Sequence, residues 1–393
     1  VQYLPFIGVK YTFHERPDQI SEREPHIYKM LIQKRHTNRS ANGSLMTMND
    51  AFSQTQLNVA ILLAASKEKR DEWGDYHFGV GLAEALKRRG HLPRIYYYQE
   101  QVEGRSPDVD VTISLRGLTE HSFPIGSIKV IWSISHPDLL TWRQIDECDL
   151  LFCASLTWPQ ALLWAGKQRV YSLLQCSDPA RFFPQPEVRE RDDRVLFIGN
   201  SRKVDRPIVR HAEEAGLNLH VYGTNWKERL QNTHIKGAYI PNERLTSEYA
   251  SAAVVLNDHW PSMKDFGYIS NRIFDVAASG GVVVSDYLPS IRRVFGNAVK
   301  VYRKQQDLRA LCEKTTNELD RVDRNSVGAW VNENHSFDSR VNDILGLVEE
   351  FALGQGKTDI QLNHARPDVA VIGTSKDIRI GIIPQLSGNA MTS

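Results

Sequence analysis

The chain has 393 residues, and its 48 Lys+Arg against 47 Asp+Glu leave a net charge of +1. That length suggests two to three domains, and so even a balance gives no global field for gripping a polyanion, which argues against dedicated nucleic-acid binding. Hydrophobic residues at 41% and charged residues at 24% exclude wholesale disorder, and no apolar run approaches the roughly 18 residues of a membrane span.

Four cysteines (Cys148, Cys153, Cys176, Cys312) lack C-x-x-C spacing and are too sparse for a disulfide framework or a zinc site. Residues 1–5 show no charged and apolar signal-peptide pattern, so the sequence reads as a reduced, cytoplasmic protein. Residues 1–56 form a polar lead-in. At Leu57 the character changes, and 57–64 is a short apolar run of the kind buried on both faces of a parallel sheet. An amphipathic helix over 78–90 follows, ending in cations and Gly90. Further apolar runs at 94–98, 109–115, 128–134, 150–154 and 170–174 complete one α/β unit, spanning 57–185.

The segment 178–193, with three prolines and many charges, reads as a linker. The strand–helix rhythm then restarts in a second unit, 186–353. Strands are predicted at 194–199, 217–222, 254–257 and 282–285, helices at 207–215, 242–253 and 272–279, and a long final helix at 339–353 that could cross back to the first unit. The expected fold is α/β, with two Rossmann-like domains facing a central cleft and ligands beyond the carboxyl ends of the strands. In the tail, 354–393, an apolar run at 378–384 resembles the way each half opens, so the tail is expected to start a further module of a longer, multi-domain chain.

The richest segment is 254–286. Ser270 or Asn271 is placed to cap a helix whose free N–H groups and dipole favour a phosphate. Arg272 adds a fork-shaped cation, and Asp275, one turn further in, is placed to accept hydrogen bonds from sugar hydroxyls. As a mere capping-box acid, Asp275 would need its cap at Arg272, a poor capping residue.

This stretch resembles the donor-site signature of GT-B nucleotide-sugar glycosyltransferases, and within them the CgeB-like branch related to glycosyltransferase family 4. In that family two acidic residues eight apart bracket the loop. The second, which binds the ribose, matches Asp275; the first falls on Gly267, with Asp265 two residues away. The resemblance covers roughly 57–353 in architecture, with its specific motif confined to about 254–289.

Gly199, Asn200, Arg202, Lys203 and Arg206 follow the first strand of the second half, where small residues let a backbone approach an anion and the cations suit a diphosphate leaving group. The resemblance implies that this loop cradles the diphosphate, and that Tyr239 and Ile240 lie where the family holds the base. In the first half, Asp75 and His77 are candidate proton handlers or plain helix caps, and His136 ends a strand where relatives often place a histidine near the donor sugar. His259 stands at another strand tip and is the weaker candidate. The partial G-x-G of Gly79 and Gly81 does not support nicotinamide binding, and Asp108 and Asp110 form a DxD that enters a strand.

The implied function is metal-independent transfer from a nucleotide-diphosphate sugar to a glycan or other sugar-bearing acceptor, with retention of configuration. The donor is a co-substrate, and no cofactor or metal is required. Alternatives are a nucleotide-sugar epimerase of the same fold and a non-catalytic sugar-nucleotide-binding module.

Overall fold

The computed structural model describes residues 56–354, apart from 69, 71–72, 101–107, 186–190, 202, 319–320 and 353, together with 369–372 and 379–382. The lead-in 1–55 lies outside the described residues.

The first unit is built on β1 (Asn58–Leu62), α1 (Gly74–Arg88), β2 (Leu92–Tyr96), β3 (Val111–Arg116), β4 (Ile128–Ser133), α2 (Trp142–Glu147), β5 (Leu150–Cys153), α3 (Trp158–Trp164) and β6 (Val170–Ser172). Its six strands are all parallel, in the order β2-β1-β3-β4-β5-β6. The second unit holds β7 (Val195–Ile198), α4 (Pro207–Glu214), β8 (Leu219–Tyr222), β9 (Ile235–Gly237), α5 (Leu245–Ser251), β10 (Val254–Asn257), α6 (Pro261–Asp265), α7 (Asn271–Ala278), β11 (Val283–Asp286), α8 (Pro289–Phe295) and β12 (Val299–Tyr302). Three helices follow: α9 (Asp307–Glu318), α10 (Arg321–Asn334) and α11 (Phe337–Ala352). The second sheet is again all parallel, in the order β12-β11-β10-β7-β8-β9. Strand order therefore reverses between β1 and β3 and between β7 and β10, the two places where such sheets open a crevice for ligands.

Central strands such as β5 and β10 are buried along their whole length, which is why they read as nearly continuous apolar runs rather than alternating ones. Strand β3 is equally buried yet alternates, and its Thr112 and Ser114 hydroxyls are hydrogen-bonded to Ser127 and His121. The helix of the first half begins at Gly74, earlier than its apolar periodicity indicated. Gly79 and Gly81 sit inside it as packing residues, with no room for side chains against Leu63 and the Phe337 ring. Asp110 accepts from the Asn58 N–H at 2.8 Å, tying the amino ends of β1 and β3 together on the edge opposite the ligand crevice.

Besides the chain running from β6 to β7, two segments join the halves among the described residues. Helix α11 packs on the first unit: Phe337, Val341, Ile344, Leu347 and Val348 belong to that unit's core, and Phe337 packs edge-on to Phe78 with ring centres 4.7 Å apart. The loop around α6 does the same in a way the sequence did not reveal. Met263 and Tyr268 sit in a first-unit core cluster, and the buried Tyr268 hydroxyl donates to Ser133 Oγ at 2.9 Å. Gln175 Nε2 donates to both Ile134 O and Ile269 O, one from each half. In the tail, β13 (Val369–Ile372) and β14 (Arg379–Ile382) pair antiparallel with each other and with neither large sheet.

Candidate active site

Between the halves lies a cleft of about 420 Å³. Its second-unit wall is made at the β7/β10 reversal, from Ile198, Gly199, Asn200 and Arg206 after β7, Asp258 and Trp260 after β10, and Ser270, Asn271, Arg272 and Asp275 at the start of α7. Tyr222, Tyr239, Ile240 and Asn242 continue it. The first unit contributes Trp73, His77, Phe78, Ser135 and His136, and the crossing segment adds Gln175, Asp178 and Arg181.

Helix α7 starts here because Ser270 adopts an extended backbone (φ −64°, ψ 139°) and the following residues carry an apolar face of Ile273, Phe274, Val276 and Ala277 into the core. Its first N–H groups have no partner within the helix and carry the positive end of its dipole. Arg272 runs beneath that end, donating from Nη2 to Ile198 O at 2.5 Å and from Nη1 to Asn257 Oδ1 at 3.2 Å. Gly199 makes this approach feasible, since a Cβ there would stand 2.9 Å from Arg272 Nη2. Burial pulls the Arg272 guanidinium below its ordinary value. These hydrogen bonds go to neutral oxygens, and the nearby carboxyls Asp258 and Asp275 act on the guanidinium through space rather than by hydrogen bonds to it.

Arg206 is set differently. Its guanidinium lies over the Phe197 ring on one side and the Trp260 ring on the other, 5.3 and 5.2 Å from their centres. It grips Asp258 through two parallel hydrogen bonds, Nε to Oδ2 at 2.6 Å and Nη2 to Oδ1. Most of its charge is thereby balanced locally.

Asp275 lies one turn into α7, accepting from Ser177 Oγ and from Asn271 Nδ2, each at 2.8 Å. Its carboxyl is pushed up to about 7, chiefly by burial, against the opposing effects of the Ser177 hydrogen bond and the Arg181 charge. Asn271 Oδ1 is buried and has no hydrogen-bond partner among the described residues.

The cleft thus gathers His77, His136, Gly199, Asn200, Tyr239, Ile240, Asn271, Arg272 and Asp275. It does not gather the rest. Arg202 lies outside the described residues. Lys203 is exposed away from the cleft in a left-handed backbone (φ 61°), its carbonyl bonded by Arg229 Nη2 at 2.8 Å. Asp265 is exposed at the end of α6 and does not line the cleft. Asp75 turns away as well: its Oδ2 accepts from the Ala64 and Ala65 N–H groups at 2.9 and 3.0 Å, so it holds the turn after β1, and burial raises its carboxyl above the ordinary range. Gly267, where the resembled family has its first acid, has φ 74°, and a Cβ there would meet Thr157 Oγ1 at 2.6 Å. A side chain there would crowd the Thr157 and Ser155 hydroxyls and sit in a backbone conformation that favours glycine.

His136 reaches the cleft on a left-handed turn (φ 48°, ψ 54°) after β4. Its Nδ1 is 3.1 Å from Ser135 Oγ, and its ring centre is 5.8 Å from that of Trp260 across the cleft. Sequence reading missed Asp178 and Arg181, because it took 178–193 for a linker. Arg181 Nε bonds Asp178 Oδ2 at 3.0 Å and Nη2 bonds the His77 carbonyl at 3.0 Å, fixing the start of α1 against the cleft.

Two facing parallel sheets with a cleft at their switch points define the GT-B glycosyltransferase fold. Residues 202–346 match the family described as glycosyl transferase-like, and together with the fold this match supports glycosyltransferase activity. Among solved structures the chain is similar to AviGT4, a glycosyltransferase involved in avilamycin A biosynthesis, at 16% identity and a TM-score of 0.55, covering 76% of this chain and 98% of that one. It is also similar to an alpha-glucosyltransferase in complex with UDP-glucose and DNA containing an abasic site (11%, TM-score 0.50, 74% and 100% covered). A third is alpha,alpha-trehalose 6-phosphate synthase from Burkholderia multivorans (9%, TM-score 0.50, 77% and 100% covered). At such identities the likeness is one of fold. No curated protein matches the sequence.

Proposed function

We propose that the chain transfers a glycosyl group from a nucleotide-diphosphate sugar to a sugar-bearing acceptor, without a divalent metal and with retention of configuration. The observation that carries this reading is the meeting of Arg272 with the N-terminal turn of α7 in the cleft wall, with Asp275 one turn beyond. A guanidinium hydrogen-bonded to neutral oxygens and a positive helix end together neutralise the charge that develops on a departing diphosphate. That is the work a bound metal does in other transferases. Asp275 accepts from the ribose, and Tyr239 and Ile240 flank the base. His136 and His77, on the opposite wall, stand on the side of the transferred sugar and the acceptor. Retention follows from the family resemblance, and among the described residues the first unit lines the wall opposite the phosphate site with histidines rather than carboxylates. The glycosyltransferase names of the similar structures support the same class of donor.

Incubation with UDP-, GDP-, dTDP- and CMP-linked sugars tests the reading. Donor hydrolysis or sugar transfer is expected with one of them. An epimerised donor, or nucleotide binding with no turnover on any acceptor, would overturn it in favour of an isomerase or a binding module.

A further inference from the structure

The tips of β10 and β11 carry a buried polar ring beneath the start of α7. Arg272 Nη1 donates to Asn257 Oδ1 at 3.2 Å, Asn257 Nδ2 to Ser285 Oγ at 3.0 Å, and the Ser285 hydroxyl to Asp286 Oδ1 at 3.2 Å. His259 Nδ1 lies 2.6 Å from the same carboxylate oxygen, and the Ser270 backbone N–H lies 3.1 Å from His259 Nε2. Ser270 and Arg272 belong to one turn, so the ring closes through the helix itself.

Asn257, His259, Ser285 and Asp286 are all buried, where an unmatched polar group is costly. The donor directions resolve without conflict. A backbone N–H only donates, so His259 Nε2 must be unprotonated to accept from Ser270, and the ring proton then sits on Nδ1, facing Asp286. A single neutral tautomer satisfies every member of the ring. Asp286 is held further by the His259 N–H on its other oxygen at 3.2 Å and by Lys264 Nζ at 3.4 Å.

We propose that His259 is a positioning residue: fixed by Asp286 as the neutral Nδ1–H tautomer, it holds Ser270 so that the first turn of α7 is preset for the donor diphosphate. The His259 side chain is wholly buried and touches no ligand space. Its contribution is to remove the cost of ordering that turn when the anion arrives. The proposal rests on α7 being the diphosphate end of the site.

Three measurements on the full chain test it. Nitrogen-15 NMR of the His259 imidazole at neutral pH should show Nδ1 protonated and Nε2 bare; a protonated Nε2 overturns the proposal. Amide exchange of residues 270–272 without ligand should accelerate in H259F and recover in H259Q, whose amide can both donate and accept. Calorimetry with whichever of UDP, GDP, dTDP or CMP the wild type binds should show H259F weakened about tenfold and H259Q partly restored. Wild-type affinity in H259F, or equal losses in both variants in step with a fall in Tm, would reduce His259 to a packing residue. A wild type that binds none of these nucleotides would overturn the donor reading instead, and the nitrogen spectrum and amide exchange would still decide the His259 relay.

Discussion

Ser177 and Asp275 are joined by a 2.8 Å hydrogen bond, which ties the segment crossing between the two sheets to the helix whose start lines the cleft. A hydroxyl from one side and the Asn271 amide from the other hold the carboxyl group in place in the cleft wall.

Asp275→Ala should weaken nucleoside-diphosphate binding by about 1–3 kcal/mol, as for a hydrogen bond to a charged group. Calorimetry that finds unchanged affinity would remove Asp275 from the nucleoside site.

The same carboxyl makes stability depend on pH. Its folded value of about 7 lies above the ordinary 3.8, so between these values the folded chain holds a proton that the unfolded chain releases. Its contribution is therefore complete below the lower value and is lost as pH rises through the upper one. Asp275→Asn should gain urea resistance relative to wild type at about pH 8, with the advantage vanishing near pH 4. An equal difference at both pH values would contradict this.

Arg272→Met should cost about 1.5–3 kcal/mol of nucleoside-diphosphate binding, while binding of the bare nucleoside stays unchanged. Equal losses for both ligands would show that Arg272 shapes the cleft rather than meeting phosphate.

Transfer should persist in excess EDTA. Activity that disappears on chelation and returns with manganese or magnesium would refute metal independence.

Phe337→Ala should destabilise the chain by about 3–5 kcal/mol in urea unfolding, because the ring is buried against Phe78 and fills the space left by Gly81. A loss below about 1 kcal/mol would mean that α11 contributes little to holding the first unit.

The strands were the most legible part of the fold. Runs such as 57–64 and 254–257 are apolar apart from Asn58 and Asn257 because both sheet faces are covered, and no polar alternation obscures them. Helices α2, α3, α6 and α8 escaped notice, being short and opened by Thr141 or by proline rather than by a long amphipathic repeat. In the site, Asn271, Arg272 and Asp275 could be found because one helix start brings them together within five positions. Asp75 and Asp265 could not be judged the same way. A carboxylate in a loop reads identically whether it meets substrate, solvent or, as with Asp75, two backbone N–H groups of its own turn.

The amino-acid sequence by itself determined the two parallel sheets and the helix N-terminus at Ser270, since both rest on local patterning and on backbone groups that any helix leaves unpaired. Only the tertiary structure decided which charges belong to the cleft. Arg206 pairs directly with Asp258 while Arg272 bonds neutral oxygens, Arg181 enters the site from an apparent linker, and His259 faces inward to Asp286 and Ser270 rather than out to a ligand. Those outcomes depend on partners 11 to 104 positions away. Electrostatics and tautomer choice act through space, so neighbours along the chain could not disclose them.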